Sequence, residues 1–240
     1  KSYRPITITS YVGKLLERIL ERRLRCFAEM KEMIPPWQYG FRKDRSTDTY
    51  ITNMISTIEH RRKSKEMVSG LFIDLQKAFD SIWHKGLLYK LVECGITGRI
   101  LLTLQDFLMN RYIKIKVNQY ISPAQRCPIG LPQGSVLSPF LFILYTNDML
   151  RDVEGLSLQF ADDCSVISWS ADSTELQSTI NQNCSKLTDW LDKWQLAANC
   201  QKTDLIAFAG TLVAPRLQQQ PIQLSDETKV LGITIDSGLT

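Results

Sequence analysis

The sequence predicts an α+β fold, with a helix-rich front part followed by a mixed part built on an antiparallel sheet with packed helices. Three observations carry that expectation. Two amphipathic helical patterns fill most of the first 60 residues. Strand-like runs and helical patterns then alternate along the rest of the chain. In that second part LSLQFADDCSVISWS (156–170) sets two alternating apolar runs about a polar break, the signature of a β-hairpin.

The elements follow in order. Residues 11–30 carry a stripe of Val12, Leu15, Leu16, Ile19, Leu20, Leu24 and Phe27, with Ser10 as N-cap. PPWQYGFRKDRS breaks it with prolines and a glycine. A second helix is expected over 47–60, with Ile51, Met54, Ile55 and Ile58 on one face and the basic run RRKSK after it. MVSGLFIDL suits a buried strand ending at Asp74. Helices are expected over 84–93, stopping at Gly95, and from Thr97 to about Asn110. YIKIKVN alternates apolar and basic residues, as a half-exposed strand does. After the breaker-rich GLPQGSVLSP, Ser138 is expected to cap a helix with Pro139 in its first turn, running to about Met149. Past the hairpin, Asp172 and Glu175 form a capping-box pair for a long helix whose Leu176, Ile180, Leu187, Trp190, Leu191 and Trp194 face the core. TDLIAFAG and KVLGITID read as two closing strands, and 211–220 as an exposed loop.

Composition narrows the classes of function. At 240 residues and 44% hydrophobic content the chain can bury a sizeable core, as one domain or two small lobes. No apolar run reaches the roughly 18 residues of a membrane span. The chain lacks an initiator Met and a signal-peptide core, and reads as a piece of a longer protein. Its six cysteines are scattered without a C-x-x-C and there are two histidines, which argues against zinc and against a disulfide framework. Charge is divided: residues 1–65 carry a net +8 and residues 66–240 a net −4. A basic front part suits a polyanion, and an acidic back part suits bound cations.

The hairpin poses the chemical question. Asp162 and Asp163 could simply form a turn, but two like charges with no glycine make a poor tight hairpin unless a cation binds there. Asp74 could cap the turn after its strand. Should the strand ending at Asp74 lie beside that hairpin, three carboxylates would meet, although 87 residues separate Asp74 from Asp162. Such a group can hold two Mg²⁺ ions for phosphoryl transfer.

Seven blocks in order give a resemblance. YRPITITSYVGKLLERIL, YGFRKDRST, GLFIDLQKAFDSIWHKGLLYKL, GLPQGSVLSPFLFILYTNDM, LQFADD, NCQKT and KVLGITID resemble the successive blocks of a LINE-type (non-LTR, jockey-like) retrotransposon reverse transcriptase, from residue 2 to about 236. The resemblance implies a right-hand polymerase with a helical fingers portion at 1–66, and a palm with inserted fingers elements at 67–240. The thumb, and an endonuclease if the parent has one, would lie elsewhere in that polypeptide. It implies an enzyme, a nucleotidyltransferase that acts as an RNA-directed DNA polymerase. Such an enzyme binds an RNA template, a DNA primer and dNTPs, uses two Mg²⁺ (Mn²⁺ substituting) and needs no membrane. It would work inside the cell, in nucleus and cytoplasm, as a ribonucleoprotein.

Carried over by position, Asp74 and Asp162 would be the main metal ligands and Asp163 their neighbour. Lys202 would protonate the leaving pyrophosphate, or be a solvated surface lysine. Phe79 would lie under the incoming sugar, or be a core aromatic. Gln133 and Gly134 fall where the loop approaches nucleotide and template, a glycine allowing close backbone approach. Arg4 and Arg42 fall in blocks facing the triphosphate and template. The sequence departs from the family pattern at Phe160, where many relatives have Tyr, and in AANCQKT, which leaves the loop around Lys202 open. Two other readings remain: a catalytically silent nucleic-acid-binding remnant of the same fold, and a different two-metal nucleotidyl enzyme, which would explain the carboxylates but not the finger blocks.

Overall fold

A computed structural model describes residues 6–239. Helix α1 (Tyr11–Met30) opens where the Ser10 side chain accepts the Gly13 N–H at 3.1 Å. Helix α2 (Thr47–Lys63) opens on a reciprocal capping box between Ser46 and Thr49, and closes with four basic residues at the negative end of its dipole. Strand β1 (Met67–Ile73) follows, then a 3₁₀ turn at Ala78–Ser81, α3 (His84–Glu93) and α4 (Gly98–Met109). Four short strands come next: β2 (Tyr112–Ile113), β3 (Lys116–Val117), β4 (Tyr120–Ile121) and β5 (Gln125–Arg126). Helix α5 (Leu137–Tyr145) leads to β6 (Leu156–Phe160), β7 (Asp163–Ser170), α6 (Ser173–Lys193) and β8 (Asp204–Ala209). The chain closes with β9 (Arg216–Leu217), β10 (Gln220–Pro221), β11 (Gln223–Leu224), β12 (Glu227–Val230) and β13 (Ile233–Asp236).

The chain divides into two compact units. One, of residues 35–76 and 147–239, holds a five-stranded sheet in the order β11-β8-β1-β7-β6. Central β1 runs antiparallel to both neighbours, and only the edge pair β11–β8 is parallel. Burial on both faces explains why β1 reads as a continuous apolar run. Alternation sorts its neighbour β7. Ser165 and Ile167 face α2, where Tyr50 donates to Ser165 Oγ at 2.7 Å and Met54 and Ile58 join the core. Ser168 faces α6, within 3.4 Å of the Asn183 amide. Helix α6 starts as expected at Asp172, whose carboxylate accepts from Thr174 and Glu175. Glu175 does not close the box on the Asp172 backbone; it takes the Ser170 hydroxyl, which accepts the Asp172 N–H.

The other unit, of residues 6–34 and 77–146, packs α1 and α3 on α5, and α4 on α3. Every residue of α5 except Pro139 is buried, as its apolar sequence requires.

Four expectations need correction. Val12, Leu15, Leu16 and Ile19 of the α1 stripe are 44–79% exposed, and burial falls to Glu17, Leu24 and Ala28. Periodicity marks a face able to bury, not the presence of a neighbour. Helix α5 begins at Leu137 and ends at Tyr145 rather than Met149; Ser138 is inside it and donates to the Pro132 carbonyl. Residues 211–220 include the β9–β10 ribbon, whose Leu217 is fully buried against α6. KVLGITID is no single strand but the end of the first arm, the turn and the second arm of the β12–β13 hairpin, since Leu231 and Gly232 both take positive φ.

Candidate active site

Strand β1 ends with Ile73 opposite Cys164, so the next residue, Asp74, emerges beside Asp163. Asp74 is fixed from the α6–β8 connection. Its carbonyl accepts the Asn199 N–H at 2.7 Å, its Oδ2 accepts the Asn199 amide at 2.9 Å, and its own N–H donates to Thr203 Oγ1 at 3.3 Å. The same connection pairs Ala198 with Leu75 and turns back to bring the Lys202 N–H onto the Asn199 carbonyl at 2.9 Å. The loop left open by the AANCQKT spelling is therefore zipped to the strand that carries Asp74.

The hairpin is offset by one residue from the expected Asp-Asp tip. Phe160 pairs with Asp163, so the two-residue loop is Ala161-Asp162 and Asp163 begins β7. Ala161 supplies the positive φ, at 58°, that the missing glycine would have provided. For a residue with a Cβ this costs about 1–2 kcal/mol. Buried Gln38 offsets it: its Oε1 accepts from the backbone N–H of Gly40 at 2.8 Å and of Ala161 at 3.2 Å. Gln159 donates its side-chain amide to the Ala161 carbonyl at 3.1 Å, and its backbone pairs with Trp37 and Tyr39. A Cβ on Gly40 would lie 2.5 Å from the Ala161 nitrogen, so only glycine lets the two segments meet.

Three carboxylates thus share one end of the sheet. Asp163 is pushed up to about 6, first by loss of hydration, then by the negative charges of Asp162 and Asp74. Its side chain still reaches solvent, so charge repulsion is the part of this effect that a bound cation would relieve. Burial, then the charges of Asp163 and Asp162, likewise raise the Cys164 thiol. An open pocket of about 1010 Å³ is lined by Asp74, Asp163, Lys202, Asp204 and Glu227 among others. Among the described residues no group of three or more His, Cys, Asp or Glu side chains is drawn together closely enough to hold a metal ion by itself. Two of the three carboxylates, Asp74 and Asp163, line that pocket, and carboxylate oxygens are the donor type Mg²⁺ takes, often only one or two of them beside water and phosphate oxygens.

Other expected site residues are placed as follows. Arg42, in the same unit as the carboxylates, is half-buried and donates to the Pro35 carbonyl at 2.9 Å. Phe79, Gln133 and Gly134 belong to the other unit. Phe79 is half-buried, stacked on the buried Phe142 ring with centroids 4.6 Å apart. Gln133 donates its amide to both carboxylate oxygens of Asp80, at 3.0 and 3.1 Å. Gly134 takes φ 103°, and a Cβ there would lie 3.1 Å from the Thr7 carbonyl oxygen. Glu17 steadies the loop's exit by accepting from Ser135 Oγ and the Val136 N–H. Arg4 lies outside the described residues.

A family model for reverse transcriptase (RNA-dependent DNA polymerase) matches residues 1–235. The chain belongs to the reverse transcriptase family. Among curated relatives, this reverse transcriptase is 30% identical to the RNA-directed DNA polymerase from mobile element jockey of Drosophila melanogaster, over 100% of the chain and 27% of that protein. It is 28% identical to the jockey polymerase of Drosophila funebris, with the same coverage. The chain therefore spans about a quarter of the length of these relatives. Among solved structures, apo telomerase from Candida tropicalis superposes with a TM-score of 0.64 at 14% identity, covering 95% of this chain and 40% of that one. At that identity the likeness speaks for the fold alone.

Sequence reasoning missed Gln38, Gly40 and Asn199 as supports of the reverse transcriptase carboxylates. Gln38 is 123 residues from the turn it holds, and Asn199 is 125 from Asp74. No local pattern could announce either pairing. A glutamine and a glycine in PPWQYG, beside no regular element, were the only available signal.

Proposed function

We propose that this reverse transcriptase is the polymerising part of a non-LTR, LINE-type retrotransposon polyprotein. It is an RNA-directed DNA polymerase that extends the 3′-hydroxyl of a DNA primer with dNTPs on an RNA template. The observation that carries the reading is the convergence of Asp74, Asp162 and Asp163 at one sheet end, beside a pocket lined by Asp74, Asp163 and Lys202.

Asp74, Asp162 and Asp163 would hold Mg²⁺, or Mn²⁺ in its place. Two such ions, when bound, supply charge neutralisation for in-line displacement at the α-phosphate. The chain's own residues do the rest. Asn199 and Thr203 fix Asp74, and Gln38 fixes the turn carrying Asp162. Lys202, exposed on its turn, delivers a proton to the leaving pyrophosphate. Phe79 lies under the incoming sugar, Gln133 and Gly134 approach nucleotide and template, and Arg4 and Arg42 serve the triphosphate and template.

Residues 1–66 act as the helical fingers portion and 67–240 as a palm with inserted fingers elements. A thumb, and an endonuclease where the parent has one, are partner domains of that polypeptide. The assembled ribonucleoprotein works in nucleus and cytoplasm. Extension of oligo(dT) on poly(rA) tests the reading. Activity should vanish on chelation and return with Mg²⁺ or Mn²⁺. A chain that binds template-primer yet never extends it is a silent remnant of the fold.

A further inference from the structure

The stretch from β2 to β5 has no part in the chemistry above, yet it is unusual in both exposure and charge. Tyr112 pairs with Arg126, Lys116 with Ile121 and Val117 with Tyr120, with Ile115 bonded to Ser122 between them. The result is one narrow ribbon, closed by a tight turn in which Asn118 takes φ 53°. Tyr112 and Tyr120 are 65% and 70% exposed, and Ile115, Val117 and Ile121 are also open. Residues 111–126 carry Arg111, Lys114, Lys116 and Arg126, and no Asp or Glu occurs from 107 to 147. The two arginines anchor the ribbon, Arg111 on the Gly130 carbonyl and Arg126 on the Met109 carbonyl. Lys114 and Lys116 are exposed and pair with no carboxylate among the described residues.

We propose that the β2–β5 ribbon is a docking surface for unpaired RNA, with Tyr112 and Tyr120 stacking on bases and Lys114 and Lys116 holding phosphates. Aromatic rings interleaved with cations are what a single strand needs, since every base has a stacking face and every step a negative charge. The absence of acidic residues over the whole stretch suits a polyanion, where a protein partner would meet no compensating charge. The choice of RNA over DNA rests on the polymerase reading above, in which RNA is the template.

The test is anisotropy of a fluorescein-labelled, unstructured RNA of about 20 nucleotides with the 240-residue chain, without dNTPs or metal, between about 50 and 200 mM salt. The variant Tyr112→Ala/Tyr120→Ala should bind about tenfold or more weaker with the salt dependence unchanged. Lys114→Gln/Lys116→Gln should flatten the log–log salt slope by about 1.4, two phosphate contacts on a single strand. Lys186→Gln, in the other unit, should change neither. These side chains are exposed, so melting temperatures should match wild type. Should the tyrosine pair nonetheless lower the melting temperature, the lysine slope still decides. Wild-type affinity and slope in both ribbon variants would overturn the proposal. So would tighter binding of the same sequence as DNA with equal loss in the variants, or ribbon-dependent self-association with RNA binding intact. Loss of RNA binding in the variants supports the ribbon whether or not the chain extends a primer, so the two readings fail separately.

Discussion

The backbone N–H of Ala161 donates to Oε1 of Gln38 at 3.2 Å, joining the hairpin turn to a loop 123 residues earlier. The same oxygen accepts the Gly40 N–H, so two buried donors depend on one acceptor. Ala161 holds a left-handed conformation next to Asp162, so this contact steadies the backbone of the turn that carries the Asp162 carboxylate.

Gln38→Leu should therefore leave two N–H groups without an acceptor, each costing about 1–3 kcal/mol. Primer extension should fall by more than the loss of folded protein explains, with the apparent Mg²⁺ requirement rising. Gly40→Ala should act alike, by pressing a Cβ onto the Ala161 nitrogen. Melting curves and Mg²⁺ titrations of extension rate, measured on the same samples, separate misplacement from unfolding. An unchanged Mg²⁺ requirement would reduce Gln38 to a packing role.

Asn199→Ala should mimic a weakened Asp74. Two contacts reach Asp74 from Asn199, one from its backbone and one from its side chain, and only the second is lost. Extension should drop roughly tenfold, in line with a hydrogen bond to a charged group of about 1.5–3 kcal/mol, while Asn199→Asp, which sets a fourth carboxylate against Asp74, should be worse. If Asn199→Asp were the milder variant, the hydrogen bond would not be what matters.

Phe79 stacks on Phe142 and remains half-buried. Phe79→Val should raise use of CTP relative to dCTP in kcat/KM, by opening space for a 2′-hydroxyl, at a cost in stability on the order of 1–3 kcal/mol from lost packing. An unchanged nucleotide ratio with a lower melting temperature would assign the ring to the core alone.

The legible parts of this fold are those specified within a few residues. Ser10 and Asp172 announce helix starts because a cap bonds to backbone two or three positions on. The apolar run of β1 and the alternation about Asp162 announce a sheet, and the convergence of Asp74 with Asp162 and Asp163 follows from the register of β1 on β7. What was not legible depends on partners distant in sequence. The offset of the hairpin tip hangs on Gln38, the burial of Leu217 on α6, and the exposure of Val12 and Leu15 on the lack of a neighbour among the described residues. KVLGITID misled because Leu231 takes a positive φ that nothing in its side chain favours.

Primer extension by Asp74→Asn and Asp162→Asn, with melting curves on the same preparations, addresses the three carboxylates themselves. Each change removes one negative charge from a group whose members repel one another. In Asp74→Asn the new amide oxygen can still accept the Asn199 side chain, so the anchoring bond survives the loss of charge. Melting temperature should stay level or rise, while extension falls at least about 100-fold, as loss of a metal-holding charge in phosphoryl transfer requires. Near wild-type extension by either variant would contradict the assignment of Asp74, Asp162 and Asp163 as the catalytic centre.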